Sequence, residues 1–248
     1  MGAERPEAEG VENHDDNRAT WEKRTGDLCE SLPFRNDAVA PSFIRIPRTT
    51  VHVPMSAAAS FVLRPLAPAD ADVAKQLWTA RFGGAPSTQQ NWMAAALAPS
   101  HTALGLVAVA PQIDELVGVS FLDVGRRAYT RRYLGLDALD LAPSLADRNG
   151  IFHLSCVRAD WEDQGIGSAF YERRLEALAS RDVPRAFGTA WHRPAPVDSR
   201  VLFEKFDFTC LATIEQYYSR TGTRPTCPAC SGACQCTASL YGRTVHRT

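Results

Sequence analysis

From residue 61 the apolar positions follow two alternating rhythms: short runs of strand length, and longer stretches with an apolar residue every three or four places. Residues 61–64 read as a strand turned at Pro65 to Pro68, after which Asp70 is placed to N-cap a helix carrying Val73, Leu77 and Trp78 on one side. Ser87 with Gln90 three residues later is the capping-box signature of a second helix through Trp92, Met93 and Leu97. The runs 103–110 and 116–124, with acidic residues between them, suit an antiparallel hairpin. Between 126 and 149 a helical spacing at Leu134, Ala138, Leu141 and Leu145 is interrupted by Pro143, so this stretch reads as an insertion or lid.

Residues 151–157 predict the next strand, followed by a polar turn and a helix over about 165–180. A strand over 186–191, a short helix over 199–205, a strand over 209–218 and a last strand over 238–243 complete the pattern. Strand and helix alternate without an internal repeat, which predicts a mixed sheet flanked by helices, an α/β domain of the α+β kind. Residues 1–54 are polar and charged and keep no period, so they read as a disordered extension. Met55 stands where globular patterning begins; either the native start lies there or residues 1–54 are a flexible leader. Residues 55–226 then form the domain, with 227–248 as a cysteine-rich clip and the final strand of the same domain.

Composition narrows the function. With 248 residues and 45% hydrophobic content the chain can bury a proper core. A net charge of -1 gives no basic field, so no nucleic-acid partner is expected. No run approaches the roughly 18 to 20 apolar residues that span a bilayer, so no membrane association is expected and the location is expected to be cytoplasmic. A small-molecule or protein substrate is the default, and a homodimer stays open.

The sharpest local feature runs from Val157 through Arg158, Glu162, Asp163, Gln164, Gly165, Ile166, Gly167 and Ser168 to Ala169: a strand, a glycine-containing turn and a helix. That order aims unpaired amide N–H groups and the positive end of the helix dipole at one spot, a site for a phosphate or pyrophosphate. A tight packing turn is the bland alternative. The third glycine of a dinucleotide fingerprint and the Gly-Lys-Ser/Thr of a P-loop are both absent.

With these residues in view, the sequence resembles the GNAT superfamily of N-acetyltransferases over residues 61–243. The resemblance rests on Phe61-Val62-Leu63-Arg64-Pro65 with Asp70, on the block 157–169, and on Leu202-Phe203-Glu204-Lys205-Phe206-Asp207-Phe208. The family turn Gln/Arg-x-x-Gly-x-Gly/Ala falls on 162–167, with Glu162 where Gln or Arg is usual. The resemblance implies a largely antiparallel sheet splayed between its fourth and fifth strands, with acetyl-CoA as co-substrate and an amine as acceptor. It implies that amides of Gln164, Gly165, Ile166, Gly167, Ser168 and Ala169 hold the pyrophosphate. Val157 and its neighbour Arg158 would flank the pantetheine, and Phe203 the thioester end. Glu162 beside a pyrophosphate must either point away or pair with a cation, for which Arg158 is a candidate partner.

Acetyl transfer to an amine needs a deprotonated nucleophile, positioning, and help for the oxyanion and leaving thiolate. His153 is the candidate base, on the strand leading into the turn and sharing a face with Ile151, Ser155 and Val157 if alternation holds; a histidine bonded within the sheet is the alternative. Relatives carry a tyrosine acid where the alignment puts Phe203, leaving Tyr217 or Tyr218 at the end of the predicted strand as candidate acids. His192, and Glu215 or Asp123 through a water, are further options. A CoA-binding interaction module without catalysis is the competing reading. Cys227, Cys230, Cys234 and Cys236 stand within ten residues in a C-x2-C-x3-C-x-C spacing. Four thiolates there can close a structural zinc site; free or reversibly oxidised thiols and an iron–sulfur cluster are the alternatives.

Overall fold

The computed structural model describes residues 60–83, 86–98, 102–192, 199–221, 227, 229–230 and 234–246; the expectations for residues 1–54 and for Met55 lie outside them. The elements run β1 (Val62–Pro65), α1 (Ala71–Phe82), α2 (Pro86–Leu97), β2 (Ala103–Ala110), β3 (Glu115–Arg126), α3 (Arg127–Tyr133) and β4 (Arg148–Val157). They continue with α4 (Ile166–Ala179), β5 (Arg185–Trp191), α5 (Ser199–Lys205), β6 (Thr209–Ile214), α6 (Tyr217–Thr221) and β7 (Ala238–Thr244). The strands form one seven-stranded sheet in the order β1-β2-β3-β4-β5-β7-β6. Each neighbouring pair is antiparallel except β4 with β5, where the connection is the crossover helix α4 that a parallel pair requires. Among the described residues no helix is long and apolar enough to cross a membrane.

Alternation along β3 sends neighbouring side chains to opposite faces and so builds two half-cores. Val119 and Phe121 pack with Trp78 of α1 and Met93 of α2. Leu122 and Val124 pack with Tyr171 and Leu178 of α4 and with Phe203 of α5. Burial of each large apolar side chain contributes about 1.5–3 kcal/mol, so these layers fix where β4 and α4 stand. Gln89 ties α2 to α1 by donating from Nε2 to Thr79 Oγ1 at 2.9 Å.

Four expectations need correction. Asp70 does not cap α1 with its carboxylate; it accepts from the Arg64 guanidinium at 2.6 and 2.8 Å and from the Ala67 amide at 2.8 Å. The Arg64 hydrogen bond is the main reason that its carboxyl lies below the usual carboxylate range. Ser87 lies inside α2, which begins at Pro86, a residue whose fixed φ and missing N–H suit a first turn. Residues 126–149 are not a lid: Leu134 and Leu136 are fully buried beside Tyr217 and Tyr218, with α3 the helical part. The strand expected over 209–218 stops at Ile214, because Gln216 adopts a left-handed φ of 54° that turns the chain into α6.

Candidate functional site

β4 pairs with β3 from Gly118↔Val157 to Arg126↔Arg148, but with β5 only from Asn149↔Arg185 to Phe152↔Gly188. Beyond Phe152 the two parallel strands part. Residues 149–152 are buried, whereas 153–155 and 157 are partly exposed. The His153 side chain is only 1% exposed, so the surface this residue shows to the gap is main chain. Unpaired strand edge of this kind is a template for a ligand with amide groups.

A bulge sits where the strands part. Ser120 pairs with Ser155 and Leu122 with Phe152, leaving His153 and Leu154 together opposite Phe121. The expected common face of Ile151, His153, Ser155 and Val157 is therefore broken. His153 packs against Trp92 on the α1/α2 side, while the Ser155 hydroxyl meets that of Ser120 at 2.9 Å and Val157 packs against Ile166 and Phe170 of α4. At the bulge the Phe121 carbonyl accepts from Arg174 Nη1 at 3.4 Å, and the same guanidinium lies 4.1 Å above the Phe152 ring. Burial pulls the Arg174 pKa down to about 10, still well above neutrality, so this buried side chain remains a cation pinning α4 to the bulge.

The gap widens into a cleft of about 1100 Å3. At one end lies the turn into α4, where Asp163 and Gly165 both take left-handed φ values, 60° and 84°. A Cβ on Gly165 would meet no atom within 4 Å, so glycine is favoured there by backbone angle, not by space. A Cβ on Gly167 would come within 2.9 Å of Leu202 Cδ1, where α5 closes on the first turn of α4. Of the residues assigned to the cofactor, Val157, Gly165, Ile166, Gly167, Ser168 and Phe203 line the cleft; Arg158, Gln164 and Ala169 do not. Arg158 is not the partner of Glu162: it is held by Asp160 at 2.7 Å and by Glu115, whereas Glu162 pairs with Arg81 at the end of α1. Lys205 donates from Nζ to Ser168 Oγ at 2.8 Å, bringing a second cation to the α4 N-terminus.

At the other end an aromatic cage closes on His153. Trp92 lies 4.1 Å from its ring centroid and Tyr133 stands edge-on at 4.6 Å. The Tyr133 hydroxyl meets His153 Nδ1 at 2.6 Å, and Asp123 Oδ2 lies 2.9 Å from Nε2. Tyr129 donates to the same Asp123 oxygen at 2.9 Å. Burial pushes the Tyr133 phenol well above its ordinary pKa, so it stays protonated and donates to Nδ1. Burial alone would raise the Asp123 pKa, but the His153 and Tyr129 contacts outweigh it and hold the carboxyl below the usual range. Asp123 thus faces Nε2 and Tyr133 faces Nδ1, which favours the tautomer carrying its proton on Nε2.

Because the folded pKa of Asp123 is depressed below the unfolded value of about 3.9, its contribution to stability is present above that value and is lost as the pH falls through the folded one. Asp123→Asn is expected to cost about 1.5–3 kcal/mol at pH 7, as for hydrogen bonds to a charged group, and the gap to the parent should close below about pH 4. Denaturant unfolding of both proteins across pH 3 to 8 checks it; a gap independent of pH would show that the charge is not what stabilises.

Tyr217 and Tyr218 both line the cleft from α6, with the Tyr217 hydroxyl donated to the Leu134 carbonyl at 3.3 Å. Phe203 is buried at 3% and stacked on Tyr241 at 4.8 Å, without a hydroxyl to offer. His192 Nε2 lies 2.8 Å from Ser239 Oγ, and Glu215 does not line the cleft. Tyr133, Arg81 and Lys205 escaped the sequence reading. The i,i+4 pair Tyr129 and Tyr133, whose rings stack 6.1 Å apart, was the available signal for the first; nothing local marks the other two, which arrive from distant helices.

Behind Trp191, Tyr217 and Tyr218 the sulfurs of Cys227, Cys230, Cys234 and Cys236 all lie within 4.8 Å of one another.

No family model and no curated protein matches the sequence. Solved structures do match its fold. Arabidopsis thaliana NAA60 in complex with a bisubstrate analogue matches with TM-score 0.56 at 13% identity, covering 76% of this chain and 100% of that one. A GNAT-family acetyltransferase from Streptococcus pneumoniae matches at 0.51 and 16%, covering 75% and 100%. A mosquito arylalkylamine N-acetyltransferase, like 5b, matches at 0.52 and 11%, covering 75% and 100%. The chain has the GNAT acetyltransferase fold, a mostly antiparallel open sheet with flanking helices.

Proposed function

We propose that this chain, which has the GNAT acetyltransferase fold, moves an acetyl group from acetyl-CoA directly to an amine. The observation that carries the reading is the parting of β4 from β5 after Phe152, which leaves strand edge running straight into the Gly165 turn at the start of α4. A pantetheine arm carries amides that can pair with the edge at 153–157, and its pyrophosphate falls on the N–H groups that open α4. Arg81 and Lys205 set positive charge beside that spot, and Arg81 offsets the carboxylate of Glu162.

The acetyl group then lies toward the aromatic cage. In the proton path we assign, the attacking amine gives a proton to the Tyr133 oxygen as the phenol proton passes to His153 Nδ1. The imidazolium so formed is stabilised by Asp123, the logic of a base oriented by a buried carboxylate. Tyr218 is the candidate donor to the leaving thiolate; Tyr217, bonded to Leu134, is wall. The acceptor is a small-molecule or protein amine, met by a face made of Trp92, Tyr133, Trp191 and Tyr218.

Thiol release from acetyl-CoA with a panel of amines, beside calorimetry of acetyl-CoA binding, tests the reading. Saturable binding with amine-dependent release is expected. No binding at millimolar cofactor overturns the whole proposal. Binding without release from any amine favours a CoA-binding module without catalysis, the reading that the missing hydroxyl at Phe203 supports.

A further inference from the structure

The four clustered cysteines lie outside the cofactor cleft but share its wall. Cys227–Cys236 and Cys230–Cys236 sulfurs stand 3.6 Å apart, too far for a disulfide at about 2.05 Å. Four thiolates around Zn2+ at about 2.3 Å form a tetrahedron whose edges are about 3.8 Å. The observed separations, two at 3.6 Å and none above 4.8 Å, bracket that edge with little adjustment. Cys227 and Cys234 are buried, Cys230 and Cys236 partly so, and the same apolar cluster contains Trp191, Tyr217, Tyr218 and Leu240. An all-sulfur set is soft and selects zinc over magnesium or calcium, and with four protein ligands no position stays open for a substrate.

The cluster is tied to the cleft by three contacts. Trp191 packs in the same apolar cluster as the four cysteines and itself lines the cleft. Ser219 of α6 donates to the Cys234 carbonyl. The His192 amide donates to the Thr237 carbonyl at 3.0 Å, one residue beyond Cys236. Packing and main-chain hydrogen bonds around the ligands are the kind of outer contact that fixes both ligand and neighbour.

We propose that Cys227, Cys230, Cys234 and Cys236 bind one Zn2+ and that the ion fastens the Trp191/Tyr217/Tyr218 wall, governing the acceptor end of the cleft and not the pyrophosphate end. Zinc binding stands on the sulfur geometry alone; calling the wall the acceptor end rests on the function proposed above. The core on which α4 sits is built mainly from β3, β4, β5 and α5, with Tyr241 the contribution of β7, so metal loss loosens α6 and β7 without unfolding the chain, unlike an isolated zinc finger.

The test uses the full, reduced chain prepared without chelator. Elemental analysis is expected to give about one zinc per chain, and the Cys230→Ser/Cys234→Ser variant none. After the metal is stripped, amide exchange over 217–221 and 238–244 should accelerate by about tenfold or more while exchange in α4 is unchanged. Added ZnCl2 should reverse it, and acetyl-CoA affinity should move by less than about twofold. Absence of zinc together with no uptake of Zn2+ in a competition titration overturns the site, as does zinc retained by the double variant. Unchanged exchange at 217–221 on stripping overturns the role assigned to it. Failure of acetyl-CoA to bind the zinc-loaded protein sinks the acetyltransferase reading and leaves the metal site standing.

Discussion

Gly167→Asp is expected to lower acetyl-CoA affinity about 100-fold, some 2.7 kcal/mol, without lowering the melting temperature of the free protein. Gly167 is the second residue of α4, and its missing Cβ leaves α5 free to approach through Leu202. The atom that a new Cβ would crowd is the far end of a flexible leucine, so the backbone can keep its course. An aspartate in a first helical turn is favourable to the helix, which is why the fold should tolerate it. A pyrophosphate held by the same amides meets the new carboxylate at close range, and at about 4 Å and an effective dielectric of about 20 each charge pair is worth about 4 kcal/mol. Glu162→Gln supplies the opposite sign: it removes the carboxylate that now engages Arg81 and frees that cation for the phosphates. Affinity should rise about 3- to 10-fold, as expected for a partly exposed charge. Calorimetry on both variants decides it; equal affinities in parent, Gly167→Asp and Glu162→Gln would place the phosphates elsewhere.

The second large effect belongs to the aromatic cage. Tyr133→Phe should lower turnover by about 100-fold or more, the usual yield of general acid–base catalysis, while acetyl-CoA affinity changes little and stability falls by no more than the about 1–3 kcal/mol of one buried acceptor left without its donor. The ring is retained, so contacts with Trp92 and His153 survive and the oxygen alone is lost. That loss breaks the path from the amine to His153 Nδ1. His153→Ala is a poorer probe, because it also empties a side chain that is 1% exposed and leaves Asp123 without its partner. Single-turnover kinetics with saturating cofactor reads the chemical step directly. An unchanged rate for Tyr133→Phe would remove Tyr133 from the proton path and leave it as wall.

Periodicity was enough to find every strand of the sheet and the crossover helix: β2 to β5 are long apolar runs with buried faces, the helix is amphipathic, and the short, half-exposed β1 is marked by the prolines at and after its end. Ala103–Ala110 and Ser199–Lys205 match the expected bounds to the residue. What could not be read depends on contacts distant in sequence or on single backbone angles. Strand and helix at 209–221 share the same apolar pattern, and only the left-handed Gln216 separates β6 from α6. The bulge at His153 and Leu154 is set by β3, whose register β4 must follow, and alternation within β4 alone gives the wrong face for half of it. The cation for Glu162 comes from Arg81, 81 residues earlier, across the cleft, while the nearer Arg158 is taken by Glu115 and Asp160.

The bulge also divides one strand into two regimes of mutational tolerance. Residues 149–152 are paired on both sides, so a saturation scan there should report abundance, with growth or expression tracking side-chain volume and β-branching. From His153 to Val157 one edge of the strand faces the cleft, so at the half-buried Leu154, Ser155 and Val157 substitutions should leave protein levels closer to normal and deplete activity, proline most of all where an amide is needed for the cofactor, whereas the buried His153 side chain and Cys156 should still report abundance. Arg174, plugged into the bulge from beneath, belongs to neither class: its replacement should let the register slip and erase the boundary, so that the whole strand scores as one block.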